Sequence, residues 1–153
     1  MNMQNKYIIM KLQKSSNYLH KKHIPILPRL IFLITRLLCG CSIPPSVEIG
    51  KNTRLAHNGL GVVVHDKCVI GHDTVIHVNV VIGGKDGKAP VIGNFCYIGA
   101  GAVLLGGITI GDDSIIGANA VVTHDIPPGV IALGVPAKAV KQVDSSKLGK
   151  MKS

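Results

Sequence analysis

The chain has 153 residues, a formal net charge of +9 and only 3% aromatic residues. This length predicts one domain with appendages, and so few aromatic side chains suit a narrow core of β-branched residues. The charge lies at the ends: residues 1–42 carry seven Lys/Arg and no acid, and residues 138–153 carry five Lys and one Asp. No nucleic-acid-binding motif accompanies the basic ends, so we expect no nucleic-acid partner.

The first predicted element is a helix in the basic arm, residues 1–42. Residues 24–38 are almost wholly apolar, Pro28 suits a first helical turn, and five aliphatic side chains then share one face: Leu30, Leu33, Ile34, Leu37 and Leu38. The stretch is shorter than the roughly 20 residues of a membrane span, and it lacks a signal-peptide cleavage pattern. We expect it to pack on the base of the domain or of an oligomer. Attachment to a membrane surface is the weaker alternative.

The sequence supports two interpretations of the chain ends equally well. A basic tail can bind an anionic ligand or surface. Residues 1–20 and 144–153 can equally form solvated, partly disordered termini.

A six-residue period governs the rest of the chain. Between Ile92 and Pro127 an aliphatic residue opens every hexad: Ile92, Ile98, Leu104, Ile110, Ile116 and Val122. A small or β-branched residue stands four places after each opener. The same period holds earlier, at Ile43, Ile49 and Leu55 and again at Val64, Ile70, Ile76 and Ile82. Such a period predicts an all-β, parallel β-helix of about four triangular coils, with the openers pointing inward.

Two interruptions break this period. Leu55 and Val64 are nine residues apart, and Ile82 and Ile92 are ten apart. Extra residues in a repeat structure form loops, where binding and catalytic groups usually collect. We therefore expect the functional site near residues 56–61 and 83–90.

The four cysteines predict free thiols. Cys68 and Cys96 fall on inward positions of the repeat, and Cys39 and Cys41 form a C-x-C pair without a second pair of ligands. Reduced thiols are typical of a cytoplasmic protein, which is the location we expect.

One histidine stands apart from the others because it lies in the first interruption. His57 sits between a predicted strand and a glycine turn, whereas His20, His23 and His124 suit surface positions. An imidazole with a pKa near 6.5 can act as a general base at neutral pH. It would take the proton of an alcohol as that oxygen attacks a thioester carbonyl.

Three stretches resemble the serine acetyltransferase family. They are IPPSVEIGKNTRLAHNGLGVVV (43–64), VVIGG (80–84) and APVIGNFCYIGAGAVLLG (89–106), and the segment GVPAKAVK (134–141) is similar to the family's closing stretch. The resemblance implies a left-handed β-helix and a homotrimer whose active sites lie between neighbouring rods. It divides the chain into a short helical arm, an acyltransferase domain and a segment near CoA that ends in a basic tail: residues 1–42, 43–133 and 134–153.

The resemblance also implies the site. His57 would be the general base toward L-serine or a serine-like hydroxyl acceptor, and acetyl-CoA would be the donor, with no metal. Its pantetheine arm would contact the backbone near six small residues: Gly83, Gly84, Gly99, Ala100, Gly117 and Ala118. Lys138 would face the nucleotide phosphates.

Several positions depart from the family's pattern. Ser42 replaces an aspartate that supports the catalytic histidine, and Asp66 is the acidic residue that could partly substitute for it. Ala56 replaces the aspartate directly before the histidine and is, with Lys88 and Ala89, a predicted substrate-binding position. Lys88 and Ala89 replace an Arg-His pair that grips the carboxylate of serine. A sugar hydroxyl of a surface polysaccharide or its precursor is therefore an alternative acceptor.

Two further alternatives belong to other classes. His72 and His77 have the spacing of zinc ligands in β-helical carbonic anhydrases, with His57 or His65 as a third ligand. A non-catalytic scaffold is the other alternative. From the short arm and the last residues, which lack the family's terminal isoleucine, we expect a single trimer and no complex with a sulfhydrylase.

Overall fold

The hexads fold into twelve short parallel strands wound as four triangular coils. The computed structural model describes residues 8–144. The twelve strands, β1 to β12, are Glu48–Ile49, Arg54–Leu55, Val63–Val64, Val69–Ile70, Val75–Ile76, Val81–Gly83, Val91–Ile92, Tyr97–Ile98, Val103–Leu105, Thr109–Ile110, Ile115–Ile116 and Val121–Val122. The first sheet contains β1, β4, β7 and β10, the second begins with β2, β5, β8 and β11, and the third contains β3, β6, β9 and β12.

The core is a set of aliphatic ladders inside the prism. Ile92, for example, lies in register between Ile70 and Ile110 of the adjacent coils, and all three are buried. The positions four residues after the openers are buried as well: Cys96, Ala102, Ile108, Ser114, Ala120 and Ile126. Each buried aliphatic side chain contributes about 1.5–3 kcal/mol, so the repeat both specifies and stabilises the left-handed β-helix.

The corners between strands are closed by left-handed backbone conformations. Short polar residues occupy most of these positions, at Asn52, Asp73, Asn79, Asp113 and Asn119. Asn and Asp tolerate a positive φ because their side chains form local hydrogen bonds. Within each uninterrupted run these corners recur every six residues, in phase with the inward ladders.

A helix that the sequence did not predict covers the base of the rod. Helix α1, Ile8–Lys21, occupies most of the region that we considered as a disordered terminus. The Gln13 side chain donates to the Pro44 carbonyl oxygen at 2.9 Å, and that of Asn17 donates to Pro45 at 2.8 Å. Ile9 and Met10 are buried with the core. The disordered alternative is thus wrong for residues 8–20.

The predicted apolar helix is present but packs differently from the expectation. Helix α2, Leu27–Cys39, starts with Pro28 in its first turn and ends at Gly40, which has a φ of 63°. It packs on α1, where Ser16 Oγ donates to the Pro28 carbonyl at 3.1 Å. Its aliphatic stripe is exposed, with Leu37 at 85% and Leu38 at 76%. Within one chain, the stripe therefore does not pack on the base of the rod.

Neither described helix is a candidate membrane span. Over residues 8–144, each helix is too short or insufficiently apolar to cross a bilayer.

The far end of the rod is finished by a hairpin. Strand β13, Val130–Leu133, continues the second sheet, and β14, Lys138–Gln142, pairs with it antiparallel. This pairing places Lys138 opposite Leu133. The predicted disordered tail lies, apart from Asp144, outside the described residues.

Candidate functional site

The first interruption forms a tight turn that presents His57 to solvent. The 3-10 turn Ala56–Gly59 follows β2, and its residues His57 and Asn58 have φ values of 50° and 58°. Asn58 occupies the regular corner position, six residues after Asn52, so the left-handed conformation of His57 is an addition to the regular corner. A non-glycine residue in this conformation costs about 1–3 kcal/mol and is typical of functional sites. The strained backbone holds an exposed imidazole at the edge of the rod.

Most of the other predicted site residues lie on the same edge. The corners that follow the strands of the second sheet carry His57 after β2, Gly99 and Ala100 after β8, and Gly117 and Ala118 after β11. Lys138 joins them from β14, at the far end of this sheet. We call this column the histidine edge. One straight edge thus carries the predicted base and most of the predicted CoA contacts.

The remaining predicted residues lie on a different edge. The corners after the strands of the third sheet carry Asp66, which follows β3, and Gly83, Gly84, Lys88 and Ala89, which follow or end β6. We call this column the loop edge. Because successive strands of a coil belong to different faces of the prism, one chain presents the two edges apart. A site that uses both sets of residues needs a second copy of the chain.

The second interruption, residues 84–89, is a firmly held loop. The backbone amides and carbonyls of Lys85 and Lys88 bond each other in both directions, at 2.9 and 3.0 Å. From the coil below, Lys67 Nζ donates to the Gly87 carbonyl at 3.2 Å. The His65 ring packs so close to Gly84 that a β-carbon there would lie 2.5 Å from it. The loop therefore offers a fixed surface on which Lys88 is exposed.

A second histidine lies beside His57 on the histidine edge. His77 follows β5, and its ring centroid is 4.8 Å from that of Tyr97. Burial lowers the pKa of His77, and the positive charges of His57 and Arg54 lower it further. The sequence analysis brought these two histidines together only as alternative zinc ligands and not as a base and its neighbour.

The histidines proposed as zinc ligands have separate partners. His72 Nδ1 lies 2.7 Å from Asp73 Oδ2, and its ring meets Phe95 edge-on, whereas His77 contacts Tyr97. Over residues 8–144, no group of three or more His, Cys, Asp or Glu side chains could hold a metal ion. The zinc hypothesis would therefore need ligands from more than one chain.

Comparison with known proteins assigns the family. A family model described as bacterial transferase hexapeptide (six repeats) matches residues 89–124. The serine acetyltransferase of Helicobacter pylori strain J99 is 40% identical over 126 residues, which cover 80% of this chain and 73% of that protein. The chain belongs to the serine acetyltransferase family. Both the resemblance seen in the sequence and the predicted left-handed β-helix are thereby confirmed.

Solved serine acetyltransferases share the fold. The Neisseria gonorrhoeae protein in complex with serine has a TM-score of 0.82 and 31% identity, over 87% of this chain and 56% of its own. The Brucella abortus strain S19 protein in complex with coenzyme A has a TM-score of 0.86 and 26% identity, over 91% and 57%. This member of the serine acetyltransferase family thus spans little more than half the length of those two proteins.

The predicted carboxylate support for His57 stays a prediction. Asp66 Oδ1 lies 2.9 Å from His65 Nδ1, so within one chain it pairs with that ring. In the described part of the chain, the histidine–carboxylate pairs are those of His65 and His72, and His57 has none.

The small residues on the edge have a packing reason of their own. A β-carbon at Gly99 would lie 2.6 Å from the Ala118 nitrogen of the next coil, and one at Gly117 would overlap the Leu133 side chain. At Gly83 it would lie 2.9 Å from Leu105. Packing against the next coil thus already favours glycine at these positions, so their predicted contacts with CoA stay predictions.

The buried thiols are expected to react slowly, because burial raises their pKa values. Burial raises the pKa of Cys68 to about 12, and burial together with the neighbouring Cys39 raises that of Cys41 to about 11. Since the thiolate is the reactive form, we expect iodoacetamide at pH 8 to modify Cys68 at least ~100-fold more slowly in the folded protein than in urea. Peptide mass spectrometry measures both rates. Equal rates would contradict the inward position of Cys68.

Proposed function

We propose that this chain transfers the acetyl group of acetyl-CoA to the hydroxyl of L-serine, with His57 as the general base. The observation that carries the proposal is the strained, exposed position of His57 on an edge shared with Ala100, Ala118 and Lys138. Membership of the serine acetyltransferase family supplies the reaction and both substrates. Four free cysteines suit the cytoplasmic location that goes with it.

The reaction needs one proton transfer in each direction. His57 takes the proton from the serine Oγ while this oxygen attacks the thioester carbonyl carbon. The tetrahedral intermediate then expels the CoA sulfur, which receives the proton back from the imidazolium. Backbone amides around the thioester carbonyl would stabilise the oxyanion. Transfer is direct, because Cys68 and Cys96 are buried and cannot serve as acyl carriers.

The donor would lie along the histidine edge. The exposed ammonium of Lys138 is available to the nucleotide phosphates at the far end of the second sheet. Between it and His57, small side chains at the corners leave backbone groups open to the pantetheine arm.

The test is the identity of the product. We would incubate the full chain with L-serine and acetyl-CoA carrying a 13C-labelled carbonyl, and follow the label by NMR. The proposal expects a new ester carbonyl bonded to serine Oγ and an equal amount of free CoA thiol. Label that stays in the thioester, or that appears only as acetate or as an N-acetyl group, would refute it.

We propose a homotrimer as the active form. Two observations support it: the predicted site residues are divided between the histidine edge and the loop edge, and the aliphatic stripe of α2 is exposed in one chain. A neighbouring copy can place its loop edge against the histidine edge. It can also cover the stripe, which otherwise leaves an unusually large apolar surface in water.

The trimer proposal predicts a charge-sensitive contact at α2. Leu37→Glu should weaken association at least ~10-fold, because a buried leucine contributes about 1.5–3 kcal/mol and a buried carboxylate opposes contact. Sedimentation velocity measures the change. Val140→Glu is the control, since Val140 is also exposed but lies at the opposite end of the rod. A parent that sediments as a monomer, or a Leu37→Glu variant identical to it, would contradict the proposal.

A sugar hydroxyl is the second candidate acceptor. Ala56 and Ala89 provide no polar side chain at two positions where the family binds serine, and the Lys88 stem lies against Gly107. A pocket with fewer charged groups suits a neutral acceptor, such as a sugar of a surface polysaccharide or its precursor.

A further inference from the structure

The β-helix register places His77 directly above the turn that carries His57. Strands β2 and β5 are parallel neighbours, with Leu55 opposite Ile76. The next residues along each strand, Ala56 and His77, therefore occupy equivalent positions one coil apart. Strand β5 also packs against the 3-10 turn.

The His77 ring is fixed from the other side by the coil above. Its backbone N–H donates to the Ile98 carbonyl at 3.0 Å, and its ring contacts that of Tyr97 at an angle of 48° between the two planes. The side chain is half-buried, whereas His57 is exposed. The His77 ring is thus held in place beside the exposed ring of His57.

The charges around His77 favour its neutral form. Burial is the main cause, and two cations add to it: His57, which faces the ring from the turn, and Arg54, which faces it from β2. The Tyr97 ring faces it from β8. Burial and the two cations lower the pKa of His77, so it is deprotonated at neutral pH. A neutral imidazole keeps one nitrogen as a hydrogen-bond acceptor.

We propose that His77 is a positioning residue for His57. Its unprotonated nitrogen accepts a hydrogen bond from the ring N–H of His57, which fixes the tautomer of the base and stabilises the imidazolium formed during transfer. In this chain the family's aspartates are not available as partners of the base, because Ser42 and Ala56 stand in their places. This inference rests on the proposed function, because it assigns the partner of the same base.

Kinetics test the catalytic part of the inference. His77→Phe removes the acceptor and should lower kcat at least about tenfold, with the KM for acetyl-CoA unchanged. His77→Asn keeps an acceptor without a titrating group and should restore most of the activity. His72→Asn is the matched control, because His72 also contacts an aromatic ring at 4.8 Å but lies on the remaining edge, after the first sheet. A His77→Phe enzyme with the parent kcat would overturn the inference.

The pH profile separates positioning from a packing role. Activity in the parent requires both imidazoles neutral, so log(kcat/KM) should fall on the acid side with a slope approaching about two. With His77→Asn the slope should drop to about one. A slope that is the same in the parent and in His77→Asn would contradict the coupling.

NMR of the histidine ring nitrogens tests the pairing without any turnover. In the parent, burial and the neighbouring His57 hold the pKa of His77 below its usual value, so this pKa should rise when His57 is replaced by asparagine. A His77 pKa that is the same in the parent and in His57→Asn would overturn the inference, even in an active enzyme. Coupled titration in a parent without acetyl transfer would instead refute the proposed function and leave the pairing standing.

Discussion

Replacing His57 with alanine should lower kcat by at least about 100-fold, with the oligomeric state unchanged. The imidazole is the only titrating group that the first interruption presents to solvent, and its loss leaves no group there to take the acceptor proton. The side chain is exposed, so its removal creates no cavity. The measurement is initial-rate release of CoA thiol, with sedimentation velocity on the same samples.

Two control variants separate the chemistry from the backbone. Alanine at a φ of 50° is strained, whereas asparagine tolerates this conformation and still lacks a base, so His57→Asn should be equally inactive. His124→Ala removes an exposed histidine elsewhere on the rod and should keep the parent rate. A His57→Asn enzyme within a few-fold of the parent would show that another group is the base.

Ile92→Ala should lower the free energy of unfolding by about 2–5 kcal/mol. The side chain is 1% exposed and lies between Ile70 and Ile110 in the ladder, so its truncation leaves a cavity that the two neighbouring coils cannot fill. The effect is large for a rod in which every coil stacks on the next. Urea unfolding at one fixed protein concentration measures it, since association also adds stability.

The adjacent residue of the same strand is the control. Val91 points outward and is 43% exposed, so Val91→Ala should cost less than about 1 kcal/mol. Both variants keep the backbone of β7. Equal losses at Val91 and Ile92 would mean that the inward ladder is not what holds the coils together.

The rod could be predicted from the sequence because its determinants are local. Each hexad contains its own inward aliphatic, its small residue and its corner, so Ile98 and Ala102 reveal their burial without knowledge of the rest of the chain. Helix α1 could not be predicted in this way. The side chains of Gln13 and Asn17 donate hydrogen bonds to the carbonyls of Pro44 and Pro45, about 30 residues away. No local sequence pattern predicts such contacts.

The candidate site was predictable only in part. The position of His57 followed from the break in the period, but its neighbours did not, because they come from the coil above. His77 reaches the site through the register of β2 and β5, and Asp66 turns to the adjacent His65. Side-chain direction at a corner depends on the left-handed backbone there, which spacing alone does not fix.

Thiol release from acetyl-CoA by the full chain, measured with L-serine in parallel with a panel of sugars and nucleotide-sugars, tests the proposed acetyl transfer itself. We expect rapid release with L-serine, above the rate without acceptor, and loss of that rate in His57→Asn. Release with a sugar and not with serine would contradict serine as the acceptor and support the sugar hydroxyl instead. Release with no member of the panel would contradict the proposed transferase activity.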